Sequence, residues 1–213
     1  MTMFDIHCHI LFDVDDGSSD FDESRRMLKA ARAVGIDTIV CTPHCRGSRF
    51  DYDRIQKHYA ILRDYATAHG FSMALGFEVF WQNLVTYGID NAWRLCIEDT
   101  DLLLLEFSSD AMPANWERMI YSLTGQGITP IIAHPERYRA VQNDLDIAER
   151  LKDMGCLLQL SGNFATGGMF SPSKKAAIKM LERGLIDYVA SDAHCPEHYQ
   201  EYAEALKLAR KHG

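Results

Sequence analysis

Long apolar runs, a secretion signal and paired cysteines are all absent from this 213-residue sequence. No apolar run approaches the ~20 residues that a membrane-spanning helix needs. The N-terminus lacks the basic, apolar and small-residue pattern of a secretory signal peptide. The six cysteines include no CxxC pair, and reduced thiols are the simplest interpretation. We therefore expect a soluble cytoplasmic protein without membrane insertion.

Positive charge is also scarce. The chain carries 22 Lys and Arg against 30 Asp and Glu, which gives a net charge of -8. This balance argues against nucleic acid as a partner, because nucleic-acid binding neutralises phosphates with cationic side chains. It does not argue against a small anionic substrate, since bound cations can offset some of the acids. The length predicts one domain over residues 1–213, with two smaller domains as the alternative.

Seven short apolar runs rich in β-forming residues alternate with helical patterns. The runs cover residues 3–7, 37–41, 72–79, 101–107, 129–134, 156–161 and 187–192. Continuously apolar strands that alternate with helices predict an α/β protein with a parallel sheet covered by helices. No glycine-rich phosphate loop follows the first run, which weakens the case for a dinucleotide-binding fold. We therefore favour a single closed barrel over an open doubly wound sheet.

Side chains that bind metals fall at the carboxyl ends of six of these seven strands. They are His7, His9, His44, Glu78, Glu106, His134, Asp192 and His194. Active sites of α/β barrels are assembled at that end. Alternate residues of a strand share a face, so His7 and His9 point together while Cys8 points away. The remaining histidines, at positions 58, 69, 198 and 212, fall in helical or terminal segments and are expected on the surface.

The mixture of imidazoles and carboxylates predicts a transition-metal site. Zinc, manganese and iron suit such ligands, whereas calcium is bound by oxygen atoms. A catalytic zinc ion takes about three ligands from the protein, and this set is larger. Two or three ions that share bridging carboxylates would use it. Such clusters generate a hydroxide nucleophile and stabilise the charge of a displaced phosphate oxygen.

Two other motifs resemble known kinds of site but lack residues that those sites need. The segment "DVDDG" resembles part of an EF-hand, but its first and third ligand positions would be Phe12 and Val14. The segment "HCRGSRFD" resembles the loop of cysteine-dependent phosphatases, but Asp51 stands where that loop needs an arginine. Cys8 and Cys45 are therefore interpreted as packing residues. Arg137 either forms a surface ion pair with Glu136 or grips a phosphate in bidentate fashion.

The motifs together resemble one known family. The segments are "DIHCHILFDVDDG", "TIVCTPH", "GFEV", "LLEFS", "GITPIIAHPERY" and "YVASDAH", in this order between Met3 and about His194. They resemble the polymerase-and-histidinol-phosphatase (PHP) superfamily. Within it they are most similar to the manganese-dependent protein-tyrosine-phosphatases of bacterial capsule and exopolysaccharide operons.

The resemblance implies a distorted (β/α)7, TIM-like barrel that holds three divalent ions. Manganese is expected, with iron or zinc as alternatives. The first ion would be held by His7, His9, Glu78 and Asp192, and Glu78 would bridge to a second ion shared with Glu106 and His134. The third would be held by Asp16, His44 and His194. From the residues alone, Asp13, Asp15 and Asp16 are equal candidates, and the resemblance selects Asp16.

The implied reaction is hydrolysis of phosphotyrosine by a metal-bridging hydroxide, with Asp16 and His44 at the catalytic site and Arg137 on the phosphate. The implied substrate is the tyrosine-rich tail of an autophosphorylating tyrosine kinase that controls polysaccharide export. Assembly of the chain into a homo-oligomer is left open. The sequence departs from the family in one respect, since no arginine follows the "SDAH" motif until Arg210.

Three alternative functions stay open at this point. The nearest is a PHP phosphatase of histidinol phosphate or another small phosphomonoester. A metal-dependent amidohydrolase also begins with HxH on its first barrel strand, but it typically has a modified lysine where this chain has Glu78 and Glu106. A regulatory module with a degenerate site is disfavoured because all nine expected ligands are present.

Overall fold

A computed structural model describes residues 3–168 and 170–213 of the chain. The strands of these residues are β1 (Met3–Cys8), β2 (Ile36–Cys41), β3 (His44–Cys45), β4 (Ser72–Leu75), β5 (Glu78–Phe80), β6 (Leu102–Glu106), β7 (Thr129–Ala133), β8 (Leu157–Ser161) and β9 (Tyr188–Ala190). They form a three-stranded sheet in the order β1-β2-β4 and a six-stranded sheet in the order β3-β5-β6-β7-β8-β9. Every strand pairing is parallel. The predicted parallel α/β architecture is confirmed.

Helices lie between most successive strands, because parallel strands need long crossover connections; β2 and β3, and β4 and β5, follow each other without a helix. The α-helices are α1 (Phe21–Ala33), α2 (Tyr52–Ala68), α3 (Trp81–Tyr87), α4 (Trp116–Thr124), α5 (Arg139–Asn143), α6 (Asp146–Asp153), α7 (Pro172–Glu182) and α8 (His198–His212). The first two begin at capping aspartates: Asp20 accepts a hydrogen bond from the backbone N–H of Glu23, and Asp51 accepts one from that of Arg54. Such caps satisfy free N–H groups at helix starts.

The predicted strand over residues 72–79 is in fact two strands that belong to different sheets. β4 pairs with β2, whereas β5 pairs with β3 and β6. Gly76 lies at the break, where a Cβ atom would stand 2.9 Å from the side chain of Ile97. A larger residue at position 76 would displace the side chain of Ile97. The division makes Glu78 the first residue of β5, with Gly76 and Phe77 between it and the end of β4.

The two sheets are joined where β1 meets the segment after β9. The backbone N–H of Asp192 donates to the carbonyl of His7 at 2.8 Å, and that of His9 donates to the carbonyl of Ala193 at 2.9 Å. The buried carboxylate of Asp5 accepts from the backbone N–H and the hydroxyl of Ser191. Burial raises the pKa of Asp5 to about 6 despite these bonds. The first and last strands are thereby fixed side by side.

Apolar side chains fill both faces of the central strands. Leu103, Leu104 and Leu105 in β6, and Ile131 and Ile132 in β7, are fully buried. This explains why the strands lack polar alternation, since parallel sheets are covered on both faces. Within residues 3–168 and 170–213, no helix combines the length and apolarity that crossing a bilayer demands.

Candidate metal centre

Seven of the nine predicted metal ligands lie at the carboxyl ends of strands or in the loops that follow them. The other two, His44 and Glu78, are the first residues of β3 and β5, which follow closely after β2 and β4, and contacts link each ligand to others of the set. Five of them, His7, His9, Glu78, His134 and Asp192, are buried. Burial of so many ionisable groups is costly unless each is paired or bound to a cation. Two of the ligands also have left-handed backbone conformations, with φ of 35° at His134 and 51° at Asp192. Strain of this kind is concentrated at functional sites.

The first group gathers around the HxH pair. The Nε2 atoms of His7 and His9 lie 3.3 Å apart. Oε2 of Glu78 lies 3.5 and 3.4 Å from these two nitrogens, and Oδ1 of Asp192 lies 3.4 and 3.5 Å from them. Two imidazole nitrogens and two carboxylate oxygens therefore converge on one point. This is the residue set expected for the first ion.

Glu78 connects this group to a second one. Its Oε1 lies 2.7 Å from Nε2 of His134, and its Oε2 lies 2.8 Å from Nδ1 of His44. Ligand atoms of His44, Glu78 and Glu106 all lie within 4.8 Å of one another. A carboxylate with both oxygens directed at different histidines is suited to bridge two ions. The structure differs from the expected grouping in that His44 lies beside Glu78 and Glu106 as well as beside Asp16.

The three acids of the loop after β1, which are equal candidates for a metal ligand from the sequence alone, have different surroundings in the structure. Asp13 forms an ion pair with Arg54 and is not among the side chains whose ligand atoms group around the histidines. Asp15 is turned inward, where its Oδ2 accepts a hydrogen bond of 2.8 Å from Nδ1 of His9. Asp16 is the acid whose Oδ1 lies 3.3 Å from His44 Nε2 and 3.6 Å from His194 Nε2.

Two buried side chains orient the HxH pair from behind. Oε1 of Gln159 accepts from Nδ1 of His7 at 2.9 Å, and Asp15 accepts from Nδ1 of His9 as described above. With Nδ1 protonated in both rings, Nε2 of both rings is left free to bind a cation. Partners of this kind fix the tautomer and ring orientation of metal-binding histidines.

Arg137 lies at the rim of the cluster and does not pair with Glu136. Its Nη2 donates to Oγ of Ser161 at 2.7 Å and to Oδ2 of Asp192 at 2.5 Å. Glu136 is buried, and its carboxylate accepts from the backbone N–H of Ser161. Since 31% of the Arg137 side chain is exposed, its guanidinium can meet an anion that enters the cluster.

The carboxylates of the cluster favour positive charge at its centre. Burial lowers the pKa of His7 and His9, but Glu78 beside His7 and Asp15 beside His9 outweigh burial and raise both pKa values. Burial, and then repulsion from Glu78, raise the pKa of Glu106 to about 7. A divalent ion neutralises such a site directly, because it is bound by ionised carboxylates and neutral imidazoles.

Unpartnered atoms support the same conclusion. Among the described residues, seven buried side-chain nitrogen and oxygen atoms have no hydrogen-bond partner. Four belong to predicted ligands: Oε2 of Glu106, Nδ1 of His134, and the pair formed by Nδ1 of His44 and Oε2 of Glu78, which lie 2.8 Å apart without hydrogen-bond geometry. Buried polar atoms in folded proteins almost always have partners. The residues therefore fit a cluster of divalent ions, which would bind these atoms.

The cysteines do not take part in this cluster as nucleophiles. Cys45 is fully buried, and burial raises the pKa of its thiol to about 12. Cys8 is also buried, and its Sγ lies 3.5 Å from the carbonyl oxygen of Val40. Because the thiolate is the reactive form of cysteine, neither residue is suited to attack phosphorus at neutral pH.

Three residues near the cluster, Gln159, Arg46 and His198, were not identified from the sequence as part of it, and Asp15 was one of three equal candidates for a ligand. Gln159 and Asp15 orient histidines, and Arg46 lies within 3.6 Å of Glu106. His198 was expected on the surface, but its Nδ1 accepts from the backbone N–H of His194 at 3.2 Å. Gln159 stands out only as a polar residue in an apolar strand.

A parallel α/β fold that gathers histidines and carboxylates at one edge of its sheets defines a metal-dependent enzyme of the α/β class. Residues 3–212 match the family model described as "Capsular polysaccharide synthesis, CpsB/CapC". The chain belongs to this family.

Relatives and solved structures agree with this assignment. The chain is 32% identical over 222 residues to the tyrosine-protein phosphatase CpsB of Streptococcus pneumoniae, covering 99% of this chain and 91% of the relative. It superposes with a TM-score of 0.87 and 31% identity on a chain from the crystal structures of YwqE from Bacillus subtilis and CpsB from Streptococcus pneumoniae, "unique metal-dependent tyrosine phosphatases". That match covers 98% of this chain and 87% of the other.

A more distant structure shares the fold. Histidinol phosphate phosphatase from Lactococcus lactis, solved with zinc, L-histidinol and phosphate, superposes with a TM-score of 0.65 at 13% identity. The match covers 99% of this chain and 93% of the other. The predicted α/β fold is therefore confirmed, and this histidinol phosphate phosphatase shares it.

Proposed function

We propose that this protein is a metal-dependent protein-tyrosine-phosphatase. The observation that carries the proposal is the convergence of His7, His9, Glu78 and Asp192 within about 3.5 Å, joined through Glu78 to His44 and His134. Membership in the CpsB/CapC family and 31–34% identity to named tyrosine-protein phosphatases support the same activity.

The proposed ligand roles follow the three groups. His7, His9, Glu78 and Asp192 would hold one ion, and Glu78 would be shared with a second ion held by Glu106 and His134. Asp16, His44 and His194 would hold the third. When bound, the ions supply a hydroxide nucleophile and stabilise negative charge on oxygen. Manganese is the proposed metal, as the family resemblance implies, and the mixed imidazole and carboxylate set also suits the alternatives, iron and zinc.

The protein's own side chains orient the substrate and the ligands. Arg137 is held on Asp192 and Ser161 with part of its guanidinium exposed, so it can donate two hydrogen bonds to a phosphate. Gln159 and Asp15 keep the rings of the HxH pair in place. The proposed reaction needs no covalent phosphoenzyme, in keeping with the buried, protonated thiol of Cys45.

The cellular setting is proposed from the family alone. Residues 1–213 are taken as one domain that acts in the cytoplasm on a phosphotyrosine protein, an autophosphorylating kinase of capsule synthesis. A phosphatase of small phosphomonoesters such as histidinol phosphate is the alternative. The likeness to such an enzyme, at 13% identity, extends to the fold only.

A comparison of substrates tests the proposed function. Manganese-loaded protein should release phosphate from a phosphotyrosine peptide much faster than from a phosphoserine peptide of the same sequence or from histidinol phosphate. His134→Ala should remove most of this activity, because it deletes a buried nitrogen 2.7 Å from Glu78. Preference for histidinol phosphate would establish the alternative, and equal rates on all three would refute tyrosine specificity.

A further inference from the structure

A second guanidinium lies beside the metal centre. Arg46 follows β3, and its Nη1 lies 3.6 Å from Oε2 of Glu106. Half of the side chain, 51%, is exposed. With Asp16 and His44 it lines a pocket of about 590 Å3 that opens on the cluster. A substrate that enters through this pocket meets Arg46 together with Arg54 and with the aspartates at positions 13, 15, 16 and 51.

Strand register explains the position of Arg46. His44 and Cys45 pair with Glu78 and Val79 of β5, so Arg46 follows in line with Phe80. Phe80 in turn pairs with Glu106 of β6. The guanidinium carbon of Arg46 lies 4.1 Å from the centre of the Phe80 ring. One face of the guanidinium thus rests on an aromatic ring, which fixes its orientation and leaves N–H groups available.

The backbone next to Arg46 is also fixed. Oδ1 of Asn83 accepts from the N–H of Gly47 at 2.8 Å, and Nδ2 of Asn83 donates to the carbonyl of Gly47 at 3.3 Å. Gly47 has a φ of +63°, a left-handed conformation that glycine adopts without strain. Arg46 is therefore held between a clamped glycine and an aromatic ring.

Among the described residues, the acid that forms an ion pair with Arg46 is Glu106, which is itself a predicted metal ligand. When Glu106 binds an ion, its charge is shared and Arg46 faces a net positive centre. An anion placed between the two relieves that repulsion, and guanidinium groups are well shaped for phosphate oxygens. We propose that Arg46 binds the phosphate group of the substrate, as a second arginine separate from Arg137. This proposal rests on the proposed phosphatase function.

Phosphate binding and turnover test the proposal together. On manganese-loaded protein, the inhibition constant of inorganic phosphate and the KM of p-nitrophenyl phosphate are measured for Arg46→Met and Arg46→Lys. Loss of a charge-assisted hydrogen bond predicts that both constants rise about tenfold or more in Arg46→Met, with a smaller change in kcat. Arg46→Lys, which keeps the charge but loses the planar fork, should fall between that variant and the unaltered protein.

Two controls separate phosphate binding from other roles. Arg94→Met removes an exposed arginine beside Trp93, outside the cluster, and should change neither constant. Manganese affinity, measured by calorimetry, should be the same in Arg46→Met and the unaltered protein. A fall in manganese affinity would mean that Arg46 positions Glu106 and does not bind phosphate, which overturns the proposal.

Unchanged phosphate inhibition in a folded Arg46→Met protein would also overturn it. If the KM of p-nitrophenyl phosphate rises while phosphate inhibition is unchanged, Arg46 contacts the aryl group instead. Calorimetric binding of inorganic phosphate needs no turnover. If the unaltered protein hydrolyses no phosphomonoester but binds phosphate through Arg46, the proposed function fails and this inference stands.

Discussion

Replacing Asp15 by asparagine should weaken metal binding without removing a metal ligand. The Asp15 carboxylate accepts from Nδ1 of His9 at 2.8 Å, from the backbone N–H of His44 at 3.0 Å and from that of Gly17 at 2.9 Å. Burial opposes ionisation of Asp15, but the hydrogen bond from His9 outweighs it and lowers the pKa to about 2. Asp15 is therefore ionised at neutral pH.

The size of the effect follows from the bond to His9. A hydrogen bond to a charged group contributes about 1.5–3 kcal/mol, and each 1.4 kcal/mol corresponds to roughly a factor of ten in affinity. Asp15→Asn keeps the shape and one acceptor but loses the charge that holds the His9 ring. We expect manganese affinity to fall by roughly 10- to 100-fold, the range seen when such supporting residues are changed.

The neighbouring acids provide matched controls for this experiment. Asp13→Asn disrupts an ion pair with Arg54 without changing a predicted metal ligand, and should leave manganese affinity unchanged. Asp16→Asn should lower the number of bound ions, because Asp16 is the acid that lies beside His44 and His194. Calorimetry gives the affinity and elemental analysis the number. If Asp15→Asn binds manganese as tightly as the unaltered protein, or if Asp13→Asn loses as much manganese affinity, the bond from His9 to Asp15 does not support the metal site.

Three further changes test other parts of the site. Arg137→Lys should lower kcat/KM for p-nitrophenyl phosphate by roughly tenfold, since a lysine cannot bond Asp192, Ser161 and a phosphate from one planar group; an unchanged value would exclude the phosphate contact. Cys45→Ser should keep nearly full activity, because the pKa of about 12 leaves the thiol protonated at neutral pH; complete loss in a folded protein would point to a cysteine nucleophile. Gly17→Ala should lower the melting temperature and the manganese content, because the added Cβ would stand 2.1 Å from the carbonyl oxygen of His9. Gly168→Ala, where a Cβ meets nothing within 4 Å, is its control, and equal melting temperatures for the two variants would contradict the packing argument.

The strand positions could be predicted because parallel strands that are covered on both faces are continuously apolar. β6 and β7 were located to within one residue at each end. The break between β4 and β5 was missed, because it depends on contact of Gly76 with Ile97, which is distant in sequence. β3 was missed for a simpler reason: two residues are too few to produce a pattern.

The gathering of the predicted ligands could be anticipated because parallel strands bring their carboxyl ends to one edge. The residues that support the ligands could not be anticipated. Gln159 lies 152 positions from His7, and no local pattern links a polar residue in one strand to a ring in another. The choice among the loop's acids depended on how the backbone turns between His9 and Gly17. The sequence motif alone does not show which of the three acids points inward.

The central claim is that phosphate release depends on metal ions bound by the strand-end cluster. Protein stripped with a chelator should lose activity toward a phosphotyrosine peptide and regain it as manganese is added, with full recovery at about three bound ions. Asp192→Ala should not recover under the same conditions, because it removes a carboxylate within about 3.5 Å of both His7 and His9. Phosphate release by metal-free protein, or full recovery in Asp192→Ala, would contradict the account.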